Sequence, residues 1–145
     1  MKNKVYIASD HAGFALKEEI LKLYSDLFVD LGTYSPKSVD YPDYAHNLIK
    51  NIGSDKKARG ILICGSGIGM AITANRDTNI RAGLAFNPEI AKLMRQHNDA
   101  NVLVLPGRFI NVQEALKCVN NFLTTIFESG RHQGRIDKIN KLDKK

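Results

Sequence analysis

Cys64 has the setting that points most directly to chemistry. It ends the apolar run Gly60-Ile61-Leu62-Ile63-Cys64 and is followed by Gly65-Ser66-Gly67-Ile68-Gly69. A thiol at a strand end, with amides and a helix start just beyond it, is placed to be stabilised as thiolate. The alternate glycines let the backbone turn tightly and approach a ligand. Amides exposed in such a loop favour phosphate or a developing oxyanion. The competing reading of Cys64 is a small buried hydrophobe. A dinucleotide fingerprint fits badly, because the last glycine comes one residue too early for G-x-G-x-x-G. The loop also follows the third strand, no acidic residue closes the next strand, and no Walker lysine is present.

Three other groups carry chemistry-bearing side chains. Asp10-His11 follows the first apolar run, and His97-Asn98-Asp99 precedes the last one. His97 is either a general acid or base near neutral pH or a turn histidine, and His11 has the same ambiguity. Arg131 and Arg135 stand four apart with His132 beside them, so they share a helical face. Like charges at that spacing destabilise an isolated helix slightly. An anion held between two guanidinium groups offsets this, and phosphate is the natural one; a solvated surface is the alternative. Cys118, on an apolar helical face, reads as core. Two distant cysteines and four histidines without ligand spacing predict no metal site.

These residues need a scaffold, and the pattern supplies one. Strands are predicted at 4–8, 28–31, 60–64, 80–86 and 101–105. A first helix opens at Gly13-Phe14, with Leu16, Ile20, Leu23 and Leu27 on one face. Others span 44–52, begin within 67–70, run from Pro88 to about His97, and cover 112–127 with Ala115, Leu116, Val119, Leu123 and Phe127 inward. A polar helix at about 131–143 follows Gly130. Residues 33–43, with two prolines, read as a loop. Strands alternating with helices, and apolar on both faces, predict an α/β fold with a parallel sheet covered on two sides. Ligands bind such sheets at the carboxyl ends of the strands. Asp10-His11, Tyr41, Cys64-Gly65-Ser66 and Arg108 all fall there.

The 145 residues are 43% hydrophobic and suffice for a core, read as one domain, 1–145. The formal charge of +6 is uneven: residues 131–145 carry six basic and two acidic groups, whereas 1–59 are nearly balanced. No basic stripe interleaved with aromatics supports nucleic-acid binding. No bilayer-length apolar run and no secretory segment are present, so the expectation is a cytoplasmic protein with free thiols and no membrane partner.

The segments SDHAGFALK, GTYSPKSVDYPDYA, GILICGSGIGM, IRAGL, RQHNDANVLVLPGR and ESGRHQGRI, in this order, resemble the ribose-5-phosphate isomerase B family, grouped with the galactose-6-phosphate isomerases. The resemblance runs from about residue 4 to residue 140. It implies a Rossmann-like three-layer sandwich with a five-stranded parallel sheet. It also implies a homodimer, or a dimer of dimers, with active sites between subunits and no metal or organic cofactor. The implied reaction interconverts D-ribose 5-phosphate and D-ribulose 5-phosphate in the non-oxidative pentose phosphate pathway. By resemblance, Cys64 is the base moving a proton between C2 and C1, and Ser66 assists transfer between O1 and O2. The amides from Gly65 through Gly67 and Ile68 to Gly69 hold the enediolate. His97, assisted by Asp10, opens the furanose ring. His11, Arg108, Arg131 and Arg135 bind phosphate, while Tyr41 and Asn98 line the sugar pocket. The C-terminal helix is expected at the subunit interface. Ser66 stands where the family commonly has threonine, Pro106-Gly107 replaces the usual small residues before Arg108, and Cys64 marks the cysteine-bearing branch. The alternatives are a galactose-6-phosphate or allose-6-phosphate isomerase, and a non-enzymatic phosphate-ligand or nucleic-acid binding domain.

Overall fold

A computed structural model describes residues 5–24 and 26–141. In chain order the elements are β1 (Val5–Ser9), α1 (Phe14–Leu23), β2 (Phe28–Asp30), α2 (Tyr41–Ile52), β3 (Arg59–Cys64), α3 (Ile68–Ala74), β4 (Ala82–Leu84), α4 (Pro88–Asn98), β5 (Val102–Pro106), α5 (Val112–Thr124) and α6 (Arg131–Asp137). The five strands form one all-parallel sheet in the order β2-β1-β3-β5-β4. This is the α/β fold expected from the alternating pattern.

Side-chain alternation divides the core into two layers. Ile61 and Ile63 of β3, with Leu103 and Leu105 of β5, face Leu16 and Ile20 of α1, Met94 of α4 and Phe122 of α5. Leu62 and Cys64, with Val102 and Val104, face Leu48 and Ile52 of α2 and Met70 of α3. Burying each Leu or Ile side chain contributes roughly 1.5–3 kcal/mol. The central strands therefore read as continuous apolar runs, while the three-residue edge strands are only half-buried. On the β4 edge, the Asn75 amide stands in for a strand: Nδ2 donates to Ala82 O (3.0 Å), and Oδ1 accepts from Ala82 N (2.8 Å). That pairing covers the Ala82 end of this edge strand.

After β1 the chain turns to the layer holding α1; after β3 it turns to the opposite layer, with α3. The two connections diverge and leave a crevice between neighbouring strand ends. Asp10 and Cys64 sit on its two sides.

Several boundaries differ from expectation. α1 stops at Leu23, which is 58% exposed and not inward-facing; Leu27 packs against the core after the helix. α2 starts at Tyr41, three residues early, because Pro42 fits its first turn. β3 starts at Arg59, and β4 shrinks to Ala82–Leu84, although Arg81 O still accepts from Asn101 N and Val102 N, and Ala85 N still donates to Val104 O. β5 spans Val102–Pro106: proline, lacking a donor, still pairs with Cys64 as the last strand residue. α5 ends at Thr124, so Phe127 lies outside the helix. α6 ends at Asp137 instead of running to about 143; residues 142–143, like Lys4 of the first predicted strand, lie outside the described residues. Among the described residues no helix is long and apolar enough to cross a membrane.

Candidate active site

The predicted site residues fall into two groups at opposite edges of the sheet. The first lines the crevice at the carboxyl ends of β1, β3 and β5. Cys64, 5% exposed, lends its carbonyl to Gly107 N (2.8 Å), and the Gly65 carbonyl accepts from Arg108 N (2.9 Å). These bonds draw the loop after β5 against the loop after β3. The Arg108 side chain then lies across Gly65: a methyl group there would come within 3.4 Å of its guanidinium. Pro106 does not turn Arg108 away from the crevice.

Asp10 is buried, and its Oδ1 accepts from Ala12 N (2.9 Å) and Gly13 N (3.0 Å). The carboxylate thereby braces the turn that carries His11. His11 Nδ1 accepts from Val39 N (3.2 Å), which leaves the proton on Nε2 and makes that nitrogen a donor. Ser66 Oγ accepts from Ile68 N (3.2 Å), so its own proton is available elsewhere. The Ile68 amide is thus directed to Ser66 within the expected cradle. Gly67 adopts φ 79°, open to glycine without strain. The Tyr41 ring lies against Gly69, where any side chain would meet its carbons at 2.5 Å.

The wall carrying Tyr41 is anchored by a lysine. Lys17, fully buried, donates to both carboxylate oxygens of Asp30 (2.7 and 2.8 Å) and lies 5.4 Å from the Tyr34 ring centroid. Asp30 Oδ1 also accepts from Gly32 N (2.9 Å), fixing the start of the connection from β2 to α2.

The second group lies where α4 ends, at the amino end of β5. His97, Asn98, Arg131, His132, Arg135, Ile136 and Ile139 line a cleft of about 440 Å³. Arg131 and Arg135 do share a face. The imidazoles of His97 and His132 stack, with centroids 4.4 Å apart and planes at 15°. Glu128 Oε1 stands 4.0 Å from His97 Nε2 and 3.7 Å from His132 Nε2. The ligand atoms of these three side chains lie within 4.8 Å of one another. Stacked rings, however, aim their lone pairs along separate near-parallel planes, so as they stand they do not converge on one ion. Burial, then the charges of His97 and Arg131, hold the His132 pKa below its usual 6.5; Glu128 opposes this.

The two groups cannot meet within one chain. β5 lies between them, and five residues of strand span about 16 Å. Cys118 is fully buried, and burial pushes its thiol up to about 11, consistent with the core role read from its helix face. Sequence reasoning missed Glu128, four residues before His132, and the Arg81–Asp99–Arg95 network beneath His97, although all four lie inside the quoted segments.

Comparison with known proteins places these residues in a family. The model of the ribose/galactose isomerase family matches residues 5–139. A protein of Escherichia coli named ribose-5-phosphate isomerase B is 37% identical over 145 residues, covering 98% of this chain and 97% of its own. The crystal structure of a ribose 5-phosphate isomerase from Thermotoga maritima superposes with a TM-score of 0.92 at 49% identity, covering 98% of this chain and all of its own. That of ribose-5-phosphate isomerase B from Mycoplasma genitalium, with bound ribulose-5-phosphate, gives 0.89 at 45% identity over 96% and 95% of the two chains. With a family model matched over nearly the whole chain and these likenesses in sequence and fold, this chain belongs to the ribose/galactose isomerase family.

Proposed function

We propose that the protein is an aldose–ketose isomerase interconverting D-ribose 5-phosphate and D-ribulose 5-phosphate through a cis-enediolate. One arrangement supports the mechanism: in the loop next to Cys64, Arg108 lies against Gly65, Ser66 Oγ is held by the Ile68 amide, and the Tyr41 ring lies against Gly69. The Mycoplasma genitalium relative with bound ribulose-5-phosphate supports the choice of substrate.

The furanose form has no free carbonyl, so its ring must open before the C2 proton becomes acidic. His97 opens it, delivering a proton to the ring oxygen as O1 loses one. Cys64 then takes the C2 proton, and the electron pair forms the C1=C2 bond of an enediolate with its charge on O1. The amides of Gly65, Gly67 and Gly69 stabilise that charge, the dominant electrostatic requirement of such a step, while the Ile68 amide orients Ser66. Ser66 relays the O2 proton to O1, and Cys64 returns its proton to C1, leaving the C2 ketone. His11, Arg108, Arg131 and Arg135 grip the phosphate, whose remote binding energy positions the short carbon chain. Tyr41 and Asn98 flank the sugar. Asp10 serves through the His11 turn and faces His97 of a second copy.

The separation of the two groups supports a site completed by that second copy, which brings His97, Asn98, Arg131 and Arg135 to the crevice. Ile68, Ile72, Phe86 and Phe109, each more than half exposed near the carboxyl edge, suit burial against a partner. In this reading the whole chain works as one domain, with α6 at the interface of a homodimer or dimer of dimers, in the cytoplasm and on the non-oxidative pentose phosphate pathway.

Steady-state turnover of ribose 5-phosphate, allose 6-phosphate and galactose 6-phosphate tests the substrate; preference for a hexose phosphate overturns it. Cys64→Ala is expected to lower kcat roughly 10²–10⁴-fold while phosphate-analogue binding persists. Normal turnover by that variant removes Cys64 from the base role.

A further inference from the structure

The end of α4 is held from beneath by a network that the reaction does not touch. Asp99 closes the helix at φ 46° and ψ 44°, a left-handed conformation that disfavours residues other than glycine, asparagine and aspartate. Its carboxylate lies between two guanidinium groups: Arg95 Nη1 donates to Oδ1 at 2.7 Å, and Arg81 Nη2 to Oδ2 at 3.2 Å. The same arginines occupy three successive carbonyls at and just beyond the helix end. Arg81 donates to Asn98 O (3.1 Å) and, through two nitrogens, to Asp99 O (3.1 and 2.9 Å), while Arg95 donates to Ala100 O (2.8 Å).

Arg95 is 4% exposed, so its charge depends on Asp99 for compensation. It also donates to Thr125 O (3.3 Å), and Glu128 N donates to Gln96 O (3.0 Å). The segment leading into α6 is therefore fastened to the turn that presents His97. One carboxylate sets the last turn of α4 and, through Arg95, the approach of α6.

We propose that Asp99 is a positioning residue of the isomerase site, holding His97 at its working angle through the Arg81–Asp99–Arg95 clamp. The inference rests on the reading of His97 as the ring-opening group. A group on one short turn is aimed by its backbone, and a misplacement of about 1 Å is enough to cost catalysis on the order of a hundredfold.

The test is a double-mutant cycle on the full-length protein with ribose 5-phosphate. Asp99→Asn keeps the side-chain shape and tolerates the left-handed turn but removes the charge. It is expected to lower kcat about tenfold or more with KM little changed. It should also add no further loss in a His97→Asn background, because both act through one group. A purely structural residue would lower Tm and leave kcat per folded chain unchanged. If Asp99→Asn does not fold, Arg95→Met/Asp99→Asn, which removes both charges together, is read in the same way. Unchanged kcat, or a loss that multiplies with that of His97→Asn, overturns the proposal. His97→Asn at the wild-type rate overturns the reading of His97 itself, and the positioning role with it.

Discussion

His132 shows how one residue's surroundings set its behaviour. It is buried against His97 from α4, flanked by Arg131 and Arg135 of its own helix, and faced by Glu128. Burial and the neighbouring positive groups outweigh Glu128, so the folded protein binds a proton at His132 less readily than the unfolded chain. The stability this provides is fully present above the ordinary value of 6.5 and is lost as pH falls through the lower folded value. Urea midpoints should therefore fall below pH 6.5, and His132→Gln should flatten that fall. An unchanged slope would assign the acid sensitivity to other groups. Arg131, His132 and Arg135 announced themselves by spacing. Asp99 was noted only as a neighbour of His97, and Glu128, Arg81 and Arg95 not at all, because a charged side chain carries no sign along the chain of whether it faces water or a partner.

At the scale of elements, the turn from β3 into α3 separates shape from function at two glycines. Gly67 needs its positive φ, and a methyl group there would also press on Leu84. Gly67→Ala is expected to cost about 2–4 kcal/mol in urea unfolding, combining left-handed strain with overpacking. Gly69 lies within α3, where alanine gains up to about 1 kcal/mol of helix propensity. Its methyl group would instead strike the Tyr41 ring. Gly69→Ala should thus fall less in stability than Gly67→Ala but lose kcat/KM for ribose 5-phosphate. Retained kcat/KM would show that Tyr41 has no role at the sugar. The glycine spacing marked this turn in sequence. Tyr41 was placed beside it only as a loop residue, since its position depends on α2 starting early and on Lys17 anchoring the connection.

For the molecule as a whole, the two residue groups at opposite sheet edges make a sharp prediction about assembly. In a two-fold dimer, each site would combine Cys64 of one chain with Arg131 and Arg135 of the other. Cys64→Ala chains mixed with Arg131→Ala/Arg135→Ala chains would form a hybrid with one doubly defective site and one intact site. Dissociated and reassociated at equal amounts, two nearly inactive preparations should recover about a quarter of wild-type activity. No recovery, with hybrids verified by mass, would mean that each chain works with its own residues.

The sequence by itself determined the α/β fold, the inner strands, the candidate residues at the strands' carboxyl ends and the family. These follow from local signals: apolar runs buried on both faces, glycine and proline at turns, and motifs contiguous in the chain. Tertiary structure decided what depends on distance between remote segments. It put His97 and the Arg131–Arg135 pair at the far edge from Cys64, because a helix returning from one strand's carboxyl end must finish at the next strand's amino end. It also brought Arg81, from just before β4, to the Arg95–Asp99 pair at the end of α4 beneath His97, a convergence of two segments 14 or more residues apart that no local spacing encodes.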